Sequence, residues 1–357
     1  AGAEEEAAAA GDAAVCTADS PVGSAAASGL RAEEEQLTGA MTLVCDGLWS
    51  SLRRRLSDPR PEAGSHSVGV VVRHPAGRPP LPRPGHGHVI LARPCPLLAY
   101  QISSTETRVL VFVEGKLPSV ASGALETHLR EHVAPQLPGC LRGPFLAALS
   151  REEPKCMPNR AMPQSELRMG GCALVGDSNN MRHPLTGGGM TVALRDVHLV
   201  TSLLARVPDL DDAAAVGRAV REFRQYRGEY SGTINVLANA LFAVFSAPGG
   251  DPVREELRAA CFEYLRSGGV YTAGPVGLLA GLTPRPMVLV THFFMVAFYS
   301  LKRVLLPVPT PWRMVTAYRL LHTACKIIMP QLRKEKATVM AAWPVQKAVG
   351  LVFPSSS

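Results

Sequence analysis

The residues best suited to chemistry lie between Cys172 and Asp196. Apolar residues 172–175 are expected to form a short buried strand, which ends on Gly176-Asp177. A polar loop follows, then the glycine triplet Gly187, Gly188 and Gly189, and then Met190. Met190, Leu194, Val197 and Leu204 approximate helical spacing, and Thr186 is the expected N-cap. A helix start offers unpaired N–H groups and a partial positive charge. Glycines let a ligand come close to the backbone, and a carboxylate at a strand end accepts hydrogen bonds from ligand hydroxyls. This combination suits an anion or a polar cofactor. Spacing alone leaves an ordinary strand–turn–helix with a glycine-rich turn equally open.

A second acid follows a strand near the start of the chain. Residues 41–45 are apolar, then come Asp46-Gly47 and the basic run Arg53, Arg54, Arg55. An Asp-Gly pair by itself marks any turn. Asp209, Asp211 and Asp212 resemble a metal cluster, but acids at a helix start more often serve the dipole, so no metal site is expected. The chain has no HExxH, Walker loop, paired CxxC or GxSxG elbow. No catalytic nucleophile or base stands out, which suits a protein whose cofactor carries the difficult step.

Several elements must position these residues. Strand-like runs at 68–72, 88–91, 97–102 and 108–113, with a turn at 103–106, indicate a mainly antiparallel sheet. Residues 75–84 read as a mobile Pro/Gly/Arg loop and 126–133 as a helix ended by Pro135. Residues 150–165, with prolines at 154, 158 and 163, read as an extended connection. Long helices are expected at 216–245 and 257–265, with Leu237, Leu241 and Phe245 on one apolar face. Residues 274–287 lead into an apolar run of about 14 residues at 288–301, short of the ~20 needed for a perpendicular membrane crossing. With a second helix at 314–329 it fits a hairpin dipping into one leaflet, with Arg313, Arg319 and Lys326 reaching headgroups. A lone His292 inside the run is more often a hydrogen-bonded structural residue than a catalyst.

The 357 residues are 46% apolar and carry a net charge of +7. The positive charge is concentrated from Leu301 onward, with nine Lys or Arg against one acid, Glu335. Those bases alternate with long apolar runs, which favours a membrane surface over nucleic acid. The eight cysteines are scattered, consistent with a reducing compartment. Residues 1–40 are Ala, Gly, Ser and Glu without apolar periodicity and are expected to be disordered. A start on Ala reads as a fragment or an incomplete gene model.

The run Asn180-Met-Arg-His-Pro-Leu-Thr-Gly-Gly-Gly-Met190 after Gly176-Asp177 closely resembles the second flavin motif of the squalene monooxygenases, which belong to the FAD-dependent aromatic-hydroxylase-like enzymes. The resemblance extends from about Met41 to about Gln331. It implies an α/β plus α architecture: an incomplete FAD-dependent monooxygenase fold with an antiparallel substrate sheet and a carboxy-terminal helical membrane-docking region. The implied division is 41–65 and 160–210 for FAD, 66–159 for the substrate sheet, 211–286 for a helical cavity wall and 287–357 for membrane helices and basic tail. The implied cofactor is FAD, held by Asp46, Gly176, Asp177, Pro184, Gly187, Gly188, Gly189 and Met190. The implied substrate is squalene, lined by Tyr100, Leu185, Leu241, Phe245, Phe262, Pro275, Leu278 and His292. The implied partners are an NADPH-dependent cytochrome reductase and membrane lipid, on the cytoplasmic face of the endoplasmic reticulum.

One departure matters. The strand–GxGxxG–helix that cradles the adenosine diphosphate in that family is missing, as is the family's amino-terminal pocket tyrosine. Two alternatives of different class therefore stand: a squalene epoxidase represented in part, or a non-catalytic membrane-associated piece that keeps the pocket and binds no flavin.

Overall fold

The computed structural model describes residues 39–57, 60–164, 167, 171–246 and 251–335. The expected low-complexity stretch up to residue 38 and the basic tail beyond 335 lie outside the described residues. The chain opens with a short strand, β1 (Thr42–Val44), and a helix, α1 (Ser51–Leu56). Then come β2 (Glu62–Arg73), β3 (His88–Ile90), β4 (Leu97–Gln101) and β5 (Glu106–Glu114). Helices α2 (Ala124–His128) and α3 (Gly139–Leu149) precede β6 (Lys155–Ala161) and β7 (Cys172–Leu174). The rest is helical: α4 (Gly188–Leu204), α5 (Ala213–Phe245), α6 (Pro252–Arg266), α7 (Val270–Leu279), α8 (Pro286–Leu305) and α9 (Pro311–Lys334).

The strands form two sheets. β1 and β7 pair in parallel, Val44 opposite Leu174, although 127 residues separate their ends in sequence. The other sheet is antiparallel, in the order β3-β4-β5-β2-β6. Side chains alternate across it as strand geometry requires. Val109 and Val111 pack with Leu125, Leu141 and Phe145 of α2 and α3 on one face. Leu98, Leu110 and Phe112 join a core with α5, α6, α8 and α9 on the other. The sheet is thus buried on both sides and separates a small helical cover from the large helical lobe.

Several expectations need correction. Residues 150–165 are not merely a connection, because β6 adds a fifth strand with Pro158 opposite His66. Proline is tolerated there because β6 is an edge strand and its missing N–H breaks no outer ladder. Thr186 is not the N-cap of α4. Gly187, at φ +65°, takes that position without a side-chain cap. The stripe Met190, Leu194, Val197 faces outward, 76%, 67% and 52% exposed, while Gly188, Val192, Asp196, Val200 and Leu203 face inward. Residues 270–279 form a helix around Pro275. The apolar run at 288–301 belongs to a 20-residue helix, long and apolar enough by length and composition to cross a membrane, so the length argument against crossing fails. Asp212 caps α5, accepting from the backbone N–H groups of Ala214 and Ala215 at 2.9 and 3.0 Å.

Candidate functional site

Parallel pairing sends β1 and β7 out on the same side, so both acidic turns lie at one sheet end. Open α/β sheets place ligands outside the carboxyl ends of their strands. Arg53, 3% exposed, ties the two turns together. Its guanidinium donates to the Leu48 carbonyl at 2.9 Å and to the Asp177 carbonyl at 3.0 Å. Burial lowers its pKa from the usual arginine value. Ser178 Oγ lies 2.7 Å from the carbonyls of Val44 and Val175, and Asn179 Nδ2 donates to the Leu174 carbonyl at 2.9 Å. The backbone of both turns is therefore fixed, while the carboxylates of Asp46 and Asp177 stay exposed.

A second network fixes the turn against the helices. Asp196 and Arg227 are both fully buried. Arg227 Nη2 donates to Asp196 Oδ2 at 2.9 Å, and Tyr230 OH donates to Oδ1 at 2.6 Å. Arg227 also donates to Asn180 Oδ1, and the Gly176 N–H donates to Asp196 Oδ2 at 3.3 Å. Burial, then the hydrogen bond to Asp196, raises the Tyr230 phenol well above its ordinary range and holds it neutral. Arg182, buried beside Arg227, is lowered to about 10, chiefly by burial. It donates to the carbonyls of Asn180, Gly188 and Gly189 at 3.0, 3.3 and 3.4 Å. Three residues of the loop and the first turn of α4, Asn180, Gly188 and Gly189, are thereby held by two arginines.

The glycines differ in purpose. A Cβ at Gly188 would meet Ile234 Cγ2 at 2.5 Å, so glycine permits α4 to press on α5. A Cβ at Gly187 would meet nothing within 4 Å, and its positive φ is the conformation that glycine adopts without strain. Open space thus lies above the helix start, and Thr186 Oγ1 beside it is buried without a partner. An orphaned hydroxyl, a bare turn, helix-start amides and two free carboxylates fit a ligand carrying hydroxyls and an electron-rich edge.

Two cavities matter here, one within the helical lobe and one bordering this loop. The first is apolar, about 80 Å³, and walled by α5, α6, α7, α8 and α9. Leu241, Pro275, Leu278 and His292 line it together. Leu185 and Phe245 are buried in the same core without lining it. Phe262 points to solvent, 50% exposed, because the inward face of α6 is occupied by Leu257, Cys261 and Tyr264. Tyr100 shares the Leu98 face of the sheet but does not line the cavity. Tyr264, not singled out in the sequence, places its hydroxyl 2.7 Å from His292 Nδ1 on an otherwise apolar wall.

The second cavity is polar, about 300 Å³, and lies between β2, β6, α5 and the end of α9. His183 borders it. Its ring stacks on Phe242 at 3.6 Å, with Phe112 edge-on at 4.9 Å. Burial lowers His183 to about 3, so it is neutral. His183, Arg53, Asp196 and Arg227 carry the geometry of the site, yet only His183 lay inside the motif's polar run. A buried arginine in a long helix has no sequence signature that separates it from a surface one.

A family model described as squalene epoxidase matches residues 38–316. The chain is 47% identical over 304 residues to Squalene epoxidase 1 of Arabidopsis thaliana, covering 85% of this chain and 56% of that protein. It is 39% identical over 307 residues to the squalene monooxygenase of Mus musculus, covering 85% and 52%. The chain thus spans about half the length of these relatives. Among solved structures it resembles Klebsiella pneumoniae HpxO complexed with FAD and uric acid (TM-score 0.52, 14% identity, 72% of this chain and 63% of that one). It also resembles the flavin-dependent brominase Bmp2 (TM-score 0.53, 11% identity, 75% and 65%). At those identities the likeness concerns the fold alone.

Proposed function

Because this chain belongs to the squalene epoxidase family, we propose that it carries the substrate cavity and part of the flavin site of an FAD-dependent enzyme that epoxidises squalene in sterol biosynthesis. The supporting observation is the join between Leu185 and the helical lobe. The turn that opens α4 delivers Leu185 into the same apolar core that surrounds the cavity of α5 to α9. When bound, FAD supplies the activation of molecular oxygen needed to transfer one oxygen atom to an alkene, with electrons from NADPH through a reductase.

The chain's own residues bind and orient. Asp46 and Asp177 accept hydrogen bonds from cofactor hydroxyls. The amides around Gly187, Gly188 and Gly189 face its electron-rich edge, with Pro184 and Met190 alongside. Leu241, Pro275, Leu278 and His292 hold hydrocarbon and keep the cavity dry, which suppresses side reactions with water. The alkene is the electron donor of the reaction, so no side chain need remove a proton from it.

An apolar substrate arrives through lipid, and the exposed apolar residues of α8 and α9 support contact with a membrane; the seat proposed is monotopic, on the cytoplasmic face of the endoplasmic reticulum. Leu289, Val290, Ala297 and Ser300 of α8 are buried where it packs on α6 and α9, and a helix held along one side in this way is better placed lying against a membrane than across it. The test is squalene turnover with a reductase, NADPH and FAD, comparing this chain with a version extended at its amino terminus. Oxidosqualene formed by either supports the reading, and loss on Leu241→Arg ties it to the cavity. Bound flavin with no epoxide from either protein defeats it.

A further inference from the structure

Ser65 lies on β2, is 3% exposed, and lines the polar cavity. Its neighbours determine where its proton goes. The backbone N–H of Leu185 donates to His183 Nδ1 at 3.2 Å. The imidazole is neutral, held so by burial, so its single proton is on Nε2. Ser65 Oγ, 3.1 Å from Nε2, accepts it. Ser67 Oγ lies 2.5 Å from Asn159 Oδ1, a separation that suits an O–H···O bond and is short for a nitrogen donor. The Asn159 oxygen therefore faces Ser67, and its amide nitrogen donates to Ser65 Oγ at 2.9 Å.

Ser65 Oγ thus receives two donors, and its own proton must point in a third direction. Among the described residues no acceptor takes it, and the open side is the cavity. A second donor is fixed in the same way. The backbone N–H of His183 donates to Asn239 Oδ1 at 3.1 Å, so Asn239 Nδ2 is the group that donates to Gln331 Oε1 at 3.3 Å. Among the described residues nothing accepts from the amide nitrogen of Gln331, and Gln331 lines the cavity. Phe242 adds an aromatic wall.

Glu62, Glu114, Arg160, Lys334 and Glu335 also line the cavity, Lys334 paired with Glu62 at 2.8 Å. Beside His183, the two neutral donors and the aromatic surface suit a flat heterocycle with acceptors along one edge. The cavity begins at His183, one residue before the Pro184 turn. We propose that the Ser65 hydroxyl and the Gln331 amide donate to the acceptor edge of the flavin ring, its carbonyl oxygens and ring nitrogens, and so fix the ring's orientation. His183 and Asn159 are positioning residues that act through Ser65. This inference rests on the flavin reading above.

The test titrates the full chain with lumiflavin, which has the ring but neither phosphates nor adenosine, and follows quenching of its fluorescence. FAD is titrated in parallel. Lumiflavin is expected to bind, and Ser65→Ala to weaken it by about tenfold, the effect of losing one hydrogen bond. Ser65→Cys, a weaker donor, should fall between. The visible band of the bound ring should also shift in Ser65→Ala, which a purely structural loss would not cause. Gln331→Met, on a different element, should weaken lumiflavin comparably and carries the test if Ser65→Ala does not fold. Equal lumiflavin affinity and an unshifted band in these variants would overturn the assignment while leaving flavin binding intact. FAD bound without any lumiflavin binding would place the ring elsewhere and overturn it too. Failure of both ligands to bind would remove the flavin reading itself and this inference with it.

Discussion

A methyl group at position 274 has no room. A Cβ built there would lie 2.0 Å from His292 Nε2 and 2.6 Å from Cε1. The imidazole would have to swing away and surrender its 2.7 Å contact with the Tyr264 hydroxyl. Overpacking and a lost buried hydrogen bond each cost on the order of 1–3 kcal/mol. Gly274→Ala should therefore lower the unfolding free energy measured in urea by an amount in that range, and adding His292→Ala should recover part of it. A single mutant as stable as the parent would show that the ring adapts freely. His292 also shows what a sequence offers at this scale. Its apolar surroundings suggested a hydrogen-bonded structural histidine, and it is hydrogen-bonded. Its partner, 28 residues earlier on α6, was not legible, because nothing local distinguishes Tyr264 from a tyrosine at a surface.

Between elements, the seam of α4 and α5 is set by charge and close approach more than by apolar stripes. The outward stripe Met190, Leu194, Val197 is as helical in spacing as the inward one, so periodicity identified the helix without choosing its face. The choice falls to Asp196 meeting Arg227, and to Gly188 admitting Ile234. Removing one partner of a buried ion pair strands the other, at a cost of about 3–5 kcal/mol. Asp196→Asn should lower stability by that amount in chemical denaturation. It should also loosen the Gly176 turn, whose amide donates to the same carboxylate. A loss under about 1 kcal/mol would mean that Arg227 finds another counter-charge. Replacing both partners by apolar residues should cost less than either single change. The strands were legible in proportion to their alternation: β2, β4 and β5 stood out, whereas β6 was hidden by Pro158 and by the absence of an apolar rhythm. The two acidic turns were both visible in sequence. Their meeting was not, since parallel pairing of β1 with β7 and the reach of Arg53 are long-range facts.

Over the whole molecule, apolar surface gathers at the turn joining α8 to α9. Leu306, Val308, Trp312, Met314, Val315 and Tyr318 are all at least half exposed. Lys302, Arg313 and Arg319 stand among them, while Arg303 is paired with Glu256 at 2.8 Å. An apolar tip ringed by cations suits insertion into the headgroup boundary of an anionic bilayer, with tryptophan and tyrosine at the interface. The cavity lies on the inner side of the same helices, walled by Leu289, His292, Phe293, Val296, Ala297 and Ala324, so a hydrocarbon leaving the bilayer would meet the helices that enclose it. Vesicles containing phosphatidylserine should blue-shift tryptophan emission, and the shift should be lost in Trp312→Phe if that residue enters the interface. Tyr318→Glu together with Met314→Glu should weaken vesicle binding by tenfold or more, since each places a charge where apolar surface is buried. Binding should fall with added salt but not vanish, because the cations contribute a screened attraction of about 1 kcal/mol each while the apolar tip does not depend on ionic strength. Vesicle binding abolished by salt alone would make the contact purely electrostatic and separate the cavity from the route by which its ligand arrives.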